Sequence, residues 1–433
     1  MIETVAEAIA YIHQRPRLHR SNKLDVMHQA LALFGNPQDK FPTIHVTGTN
    51  GKGTASHLIS RLLVAHGYHV GLFTSPFILR FNERIQIDQQ QILDDDLLRW
   101  TQKLSTALGQ AKLALTEFEF VTVLMFCYFA EQEIDVGVIE VGIGGAHDRT
   151  NVIDAEIGVI TSIGLDHQKL IGPTLADIAQ EKVGIIKSQQ TIFVGKIATD
   201  LQPIIIKKVH EQQAHLVQID QDLQIKQLRR HHGQAQFTWQ WLTAIPPLKL
   251  TGLKMPAWGD WQLWDASLAL AAAEQFLQRR QGRLDPVLVK RVLINFNVPG
   301  RLEVISQEPL LMLDGAHNVP AVTNLIANIQ RDFRGQPIHL ILGMMADKNI
   351  AEVAHLLAQT NWRITWTTVA NNPRAASQAE LAQQIGQPFA YNESWQAALQ
   401  NFLQEDGGEG LYLFAGSFYL ISEVRQFFIS AES

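Results

Sequence analysis

The chain has 433 residues, 46% of them hydrophobic and 18% charged, with a formal net charge of -6. That length accommodates two or three domains with sizeable cores, and the acidic balance argues against a nucleic-acid-binding chain, a class that usually carries a basic footprint. The single cysteine, Cys127 in the apolar run "TVLMFCYF", excludes an intrachain disulfide and reads as a small buried hydrophobe. No uninterrupted apolar run approaches the ~20 residues of a membrane span. The amphipathic start "MIETVAEAIAYIHQRPRLHR" has no signal-peptide layout, so a cytoplasmic protein is expected.

Short apolar runs alternate with longer helical patterns, as in βαβ units around a mainly parallel sheet. "TIHVTG" reads as a strand running into a glycine loop, and "ASHLISRLLVAHG" has helical spacing that stops at Gly67. "YHVGLFTSP" is the next strand. "EFVTVLMFCYFAEQE" reads as a buried helix, and "VGVIEVG", "EIGVITSIG" and "TIFVG" as further strands. Over residues 223–258 the pattern becomes period-two, with "AQFTWQWLT" and "PLKLTGLKMP", which predicts an antiparallel excursion. The helix "WDASLALAAAEQFLQRR" follows. "INFNVPGRLEV" carries a Pro-Gly break, beyond which a second strand–helix alternation uses "PLLMLDGA", "IHLILGM", "RITWTTVA" and "GLYLFAG". The expected division is 1–296 and 297–433, both α/β.

Four clusters carry the chemistry. In "HVTGTNGKGT", Gly48, Gly51 and Gly53 lie between a strand and a helix, where backbone amides and the helix N-terminus favour an anion. Lys52 would reach terminal phosphates and Thr54 could offer a hydroxyl to Mg²⁺. The strict phosphate-loop pattern is missed, with Val46 and Gly53 at two required positions. In "EVGIGGAHDRTN" a dinucleotide fingerprint fails at His147, but Glu140 is an acid inside an apolar strand, costly unless it is paired or binds metal. In "TSIGLDHQKLIGPTLADIAQEKVGIIK" Asp166 and His167 close a strand, and Glu181 and Lys182 lie on the next helix. His167 is a candidate Mg²⁺ ligand or a helix-entering residue with a local hydrogen bond. In "VPGRLEV" and "LDGAHN", Arg301 offers a planar fork of donors to phosphate, while Asp314 ends a strand or caps the next helix.

Taken in order, these segments resemble the folylpolyglutamate synthases, some of them also dihydrofolate synthases, within the Mur ligase superfamily. The likeness runs from about residue 35 to residue 427 and includes "TSPFILRFNERI", "TEFEF" and "GSFYLISEVRQF". It implies a P-loop NTPase-like parallel-sheet N-terminal domain and a smaller Rossmann-like C-terminal domain. It also implies an ATP-dependent ligase that phosphorylates a folate carboxylate and lets the amine of glutamate displace phosphate. By the same resemblance, Thr49, Asn50, Gly51, Lys52, Gly53, Thr54, Arg301 and Asp265 bind ATP. Ser75, Glu140 and His167 hold Mg²⁺, Asp314 and His317 join Lys52 and Lys182 as catalytic groups, and Ser417 and Tyr419 meet the substrate. Lys182, fifteen residues after His167, matches a lysine commonly carbamylated in the family; the alternative is an unmodified lysine paired with Glu181 on the helix surface. K⁺ is a further cation the family often uses, and a monomer is implied. Three departures stand out: Phe77 replaces a histidine, Trp261 another, and Asp265 an asparagine that contacts adenine. Rival readings are acceptance of dihydropteroate as well, or an NTP-hydrolysing switch.

Overall fold

The computed structural model describes residues 2–16, 24–231, 233–370 and 372–432; the end of the N-terminal stretch, residues 17–20, lies outside them. Two compact units result. One comprises residues 1–229, 236–255 and 262–295, and the other 230–235, 256–261 and 296–433. No local pattern marks the two short segments of the period-two region that join the second unit.

The first unit is built on an eight-stranded sheet of β1 (Thr43–Thr47), β2 (Val70–Phe73), β3 (Ile85–Ile87), β4 (Gln90–Gln91), β5 (Val136–Glu140), β6 (Ile157–Ile160), β7 (Thr191–Val194) and β8 (His215–Gln218). Their order is β4-β3-β2-β5-β1-β6-β7-β8. The pairs from β2 to β8 are parallel, and β3 and β4 add an antiparallel edge. Every residue of β1, β2, β5, β6 and β7 is buried, which explains their unbroken apolar runs: a parallel sheet is covered on both faces.

The helix Glu117–Glu131 is buried almost all round, so it shows no polar stripe. Its start is fixed by a reciprocal cap, with Glu119 N–H donating to Thr116 Oγ1 at 3.3 Å and Thr116 N–H to Glu119 Oε2 at 2.8 Å. Phe120, Phe126 and Phe129 from this helix are fully buried in one apolar cluster, each contributing roughly 1.5–3 kcal/mol of transfer free energy. Cys127 lies in the same cluster, and burial pushes its thiol up to about 12. That is the chemistry of an inert core residue.

The period-two region forms its own sheet of β9 (Leu223–His231), β10 (Gln234–Trp241) and β11 (Leu248–Pro256), in the order β11-β10-β9. The long helix Asp260–Gln278 follows.

The second unit holds six strands: β12 (Arg301–Gln307), β13 (Leu310–Asp314), β14 (Ile338–Leu342), β15 (Arg363–Thr367), β16 (Ala390–Asn392) and β17 (Leu411–Ala415). Their order is β12-β13-β17-β14-β15-β16, parallel except for β12 against β13. Among the described residues no helix is long and apolar enough to cross a membrane.

Candidate active site

In the first unit the chain leaves β1 for β2 on one side and later reaches β6 on the other, so the order reverses at β1. Ligands of open α/β sheets bind beyond the carboxyl ends of the strands at such a point. The glycine loop after β1 lies there. The helix behind it begins at Lys52, earlier than the sequence suggested, so Lys52, Gly53 and Thr54 form its first turn.

Side chains from the loop after β6 hold this glycine loop in place. Thr49 N–H donates to the Ser162 carbonyl at 2.9 Å and Asn50 N–H to Ser162 Oγ at 2.9 Å. The hydroxyls of Thr161 and Ser162 donate to the Asn50 carbonyl at 2.5 and 3.0 Å. Thr49 Oγ1 bonds the backbone of Gly164. Sequence reasoning missed Thr161 and Ser162; their only signal was a pair of hydroxyls at the end of an apolar strand. Lys52 Nζ folds back on the carbonyls of Gly48 and Thr49, at 3.0 and 3.4 Å. Thr54 is buried, and its hydroxyl has no hydrogen-bond partner among the described residues. Gly51 adopts φ +87°, and a Cβ there would stand 2.3 Å from Asp265 Oδ1. Asp265, buried on the helix Asp260–Gln278, is therefore brought against the loop.

Glu140 ends β5, is 3% exposed, and accepts from the Ser75 N–H at 3.1 Å. Its carboxylate oxygens stand 3.7 and 3.8 Å from the position a Cβ on Gly53 would take. Thus Ser75, Glu140 and the first turn carrying Thr54 are neighbours. His167 has φ +51° and precedes a single turn, Gln168–Ile171. Asp166 and His167 sit in the loop after β6, which ends at Ile160, rather than closing the strand. Among the described residues no group of three or more His, Cys, Asp and Glu could hold a metal by itself.

Lys182 ends the helix Leu175–Lys182 and is 3% exposed. Burial first, then the charge of Lys52, pushes its amine down to about 7, against the opposing pull of Asp166, Glu181 and Asp148. The surface pairing with Glu181 is not what the chain does. Glu181 is bound by His147, whose N–H and Nδ1 lie 2.9 and 2.8 Å from its two oxygens. Gly145 lets the backbone come this close, since a Cβ there would meet the Glu181 carbonyl at 2.6 Å. Sequence reasoning saw His147 only as the residue that breaks a fingerprint.

Phe77 packs as an aromatic wall: its ring lies 5.9 Å from that of Phe81, with the Arg84 guanidinium 5.3 Å from each. A metal-shell role at that position is lost with the histidine. Trp261 packs partly buried into the core of the second unit.

In the second unit, Arg301 and Asp314 are paired residues of β12 and β13. Asp314 is buried and accepts from Leu302 N–H at 3.0 Å and Ala316 N–H at 2.9 Å. Burial raises its carboxyl above the ordinary value, with Arg301 opposing. The next helix, Val319–Asp332, is capped by Asn318, not by Asp314. His317 Nδ1 bonds the Gly315 carbonyl at 2.8 Å. Phe418, which the sequence reading passed over inside "GSFY", gathers these groups. The Arg301 guanidinium lies 4.7 Å from its ring centre and the His317 ring 6.0 Å away, edge-on. Ser417 is buried and its hydroxyl accepts from Leu420 N–H at 3.1 Å, which caps the last helix, Phe418–Glu432. Tyr419 is 46% exposed.

The pattern of the Mur ligase middle domain matches residues 46–273, and that of the Mur ligase, glutamate ligase domain, residues 300–418. The folylpolyglutamate synthase of Lacticaseibacillus casei is 37% identical over 432 residues, covering 99% of each chain. The dihydrofolate synthase/folylpolyglutamate synthase of Bacillus subtilis is 30% identical, over 98% of this chain and 99% of the relative. Among solved structures, the apo form of L. casei FPGS has a TM-score of 0.87 at 35% identity, over 99% of this chain and 100% of that one. An FPGS-AMPPCP-folate complex has a TM-score of 0.87 at 35% identity, over 98% and 99% of the two chains. With this likeness along its whole length, the chain belongs to the folylpolyglutamate synthases of the Mur ligase family.

Proposed function

We propose that this chain is a cytoplasmic, monomeric ligase that uses ATP to add L-glutamate to the γ-carboxylate of tetrahydrofolate or its polyglutamates, releasing ADP and phosphate. The observation that carries the reading is the meeting of the glycine loop, Glu140 and Lys182 in one unit of a chain so similar to folylpolyglutamate synthases. Residues 1–296 serve as the ATP-binding part and 297–433 as the glutamate ligase part, a division supported by the family patterns at 46–273 and 300–418.

A folate carboxylate attacking the γ-phosphate is one anion approaching another. The amides of residues 49–54 and the Lys52 ammonium offset the charge on the phosphate oxygens. The acyl phosphate then loses phosphate as the glutamate amine attacks its carbonyl carbon, and the amide forms. Mg²⁺ fits the first unit: this ion is usually held by one or two carboxylates together with substrate phosphates. The buried Thr54 hydroxyl, without a hydrogen-bond partner among the described residues, follows Gly53, which lies against the Glu140 carboxylate; with Ser75 these offer that kind of oxygen set. When bound, the ion would neutralise phosphate oxygens as a Lewis acid. His167 is the remaining candidate ligand.

Lys182 is proposed to be carbamylated. A buried amine lowered to about 7 is about half neutral near that pH, and the neutral amine is the form that attacks CO₂, giving a carbamate and a proton. The carbamate would replace a buried positive charge beside Lys52 by a negative one. Asp314 and His317 are proposed to act on the glutamate side, with Ser417 and Tyr419 at the substrate.

The test is incubation with ATP, Mg²⁺, K⁺ and labelled glutamate, offering tetrahydrofolate or dihydropteroate separately. Label is expected in the tetrahydrofolate arm. Incorporation into neither acceptor while ATP is still hydrolysed would leave an NTP-hydrolysing switch as the better reading. Incorporation into dihydropteroate would add the second, dihydrofolate synthase activity.

A further inference from the structure

The loop that leaves β5 is laid directly on the end of the helix Leu175–Lys182. Glycines allow the approach, since they carry no Cβ. A Cβ on Gly144, which has φ +81°, would stand 2.7 Å from Glu181 Cγ, and one on Gly145 would stand 3.0 Å from Lys182 Cα. Ala146 N–H donates to the Glu181 carbonyl at 2.7 Å, and Asn151 Nδ2 donates to the carbonyls of Ala146 and Gly184 at 3.0 and 3.2 Å. His147 completes the fastening: its backbone N–H and Nδ1 lie 2.9 and 2.8 Å from the two Glu181 carboxylate oxygens. A carboxylate accepts hydrogen bonds and does not donate them, so Nδ1 carries the proton. The helix end under this loop carries Lys182, which is buried. Burial is the first cause that lowers its amine to about 7, ahead of Lys52, while Asp166, Glu181 and Asp148 pull the other way. Water admitted along the loop would return that amine to the ordinary lysine ammonium.

We infer that His147 is a positioning residue of the ligase reaction: by gripping Glu181 it holds the loop after β5 closed on the helix end and keeps the neighbouring Lys182 side chain away from water. The inference rests on the reading that places Lys182 in the catalytic site. His147 acts through Glu181, not on the reacting atoms. Because the loop starts at Glu140, the last residue of β5, the same latch ties the helix end that carries Lys182 to the strand end that carries Glu140.

The experiment labels the full chain with cyanate, free of CO₂, from about pH 6 to 11, and follows Lys182 by peptide mass spectrometry against an exposed lysine of the same digest. Isocyanic acid is close to CO₂ in size and is attacked by the neutral amine. The nitrogen lone pair forms the N–C bond, the C=N bond opens, and the amine proton ends on the isocyanate nitrogen, leaving a urea. The midpoint is read, not the rate, because opening the loop also admits reagent. The His147 ring is 55% exposed, so replacing it leaves no void in the core. Wild type is expected to show a midpoint near 7, and His147→Ala one about a unit higher. His147→Asn, whose amide N–H can replace Nδ1–H towards Glu181, should stay near wild type. At neutral pH kcat for glutamate ligation should fall roughly fivefold in His147→Ala, the loss of neutral amine that one unit implies. It should recover as pH rises, with the KM for ATP unchanged. A midpoint unmoved in His147→Ala, or moved equally in His147→Asn, overturns the inference. A wild type that ligates no glutamate would sink the ligase reading and the role in the reaction with it. That failure is told apart from the others because the midpoints are read without substrates.

Discussion

The two units place polar side chains at the carboxyl ends of parallel strands, but they use them differently. In the second unit the chemistry-bearing groups are already committed to the chain's own backbone. Asp314 accepts two N–H groups, Ser417 caps a helix, and His317 bonds a neighbouring carbonyl. In the first unit a buried threonine hydroxyl has no partner among the described residues, and a buried lysine lies beside another lysine's charge while the adjacent glutamate is held by histidine. Burying polar groups without compensation costs stability. The polar groups named in the first unit are therefore less compensated than those named in the second, a cost that a bound anion and cation would offset.

The contrast can be broken by substitutions on either side. Lys52→Ala should have the largest effect, a fall in kcat/KM of roughly a thousandfold with little change in Tm, because it removes charge at the phosphates. An unchanged rate would remove the loop from the chemistry. Lys182→Ala should lose most activity and regain part of it with added acetate or formate; full loss without rescue would count against the carbamate. Lys182→Met should also raise the Tm of ligand-free, CO₂-free protein at neutral pH. The folded value of about 7 lies below the ordinary 10.5, so folding releases a proton. The lysine's penalty is therefore full below about 7 and fades as pH rises towards 10.5. A Tm gain that does not shrink between pH 7 and 10 would contradict that sign.

In the second unit the effects should fall on stability. Asp314→Asn puts an amide where two N–H donors converge and should cost about 1–3 kcal/mol. Ser417→Ala should cost about 1 kcal/mol through the lost helix cap. Denaturant titration measures both. If Ser417→Ala instead raises the KM for glutamate without moving the unfolding midpoint, the hydroxyl serves the substrate and the comparison needs revision.

How much was legible in advance follows from the range of the forces involved. β1, β5, β6, β13, β14 and β17 were visible as apolar runs because both sheet faces are covered, and Glu140 was conspicuous as an acid in such a run. The short edge strands β4 and β16 have no buried residue, and β3 is only 3 residues long, so all of them left little pattern. The period-two region betrayed its strands, but not that residues 230–235 and 256–261 join the second unit. Pairings between distant loops were invisible: His147 with Glu181, Thr161 and Ser162 under Asn50, and Asp265 against Gly51. No local spacing encodes them; they appear only once parallel strands bring their carboxyl ends together.

The central claim is that the first unit delivers phosphate to a carboxylate rather than to water. Its most direct test is the stoichiometry of phosphate released to glutamate incorporated, with tetrahydrofolate, ATP and Mg²⁺ present and glutamate supplied or withheld. The expected result is one phosphate per glutamate joined, with release falling to near background when either glutamate or folate is omitted. Phosphate released at the same rate without folate, and without glutamate in the product, would contradict the account.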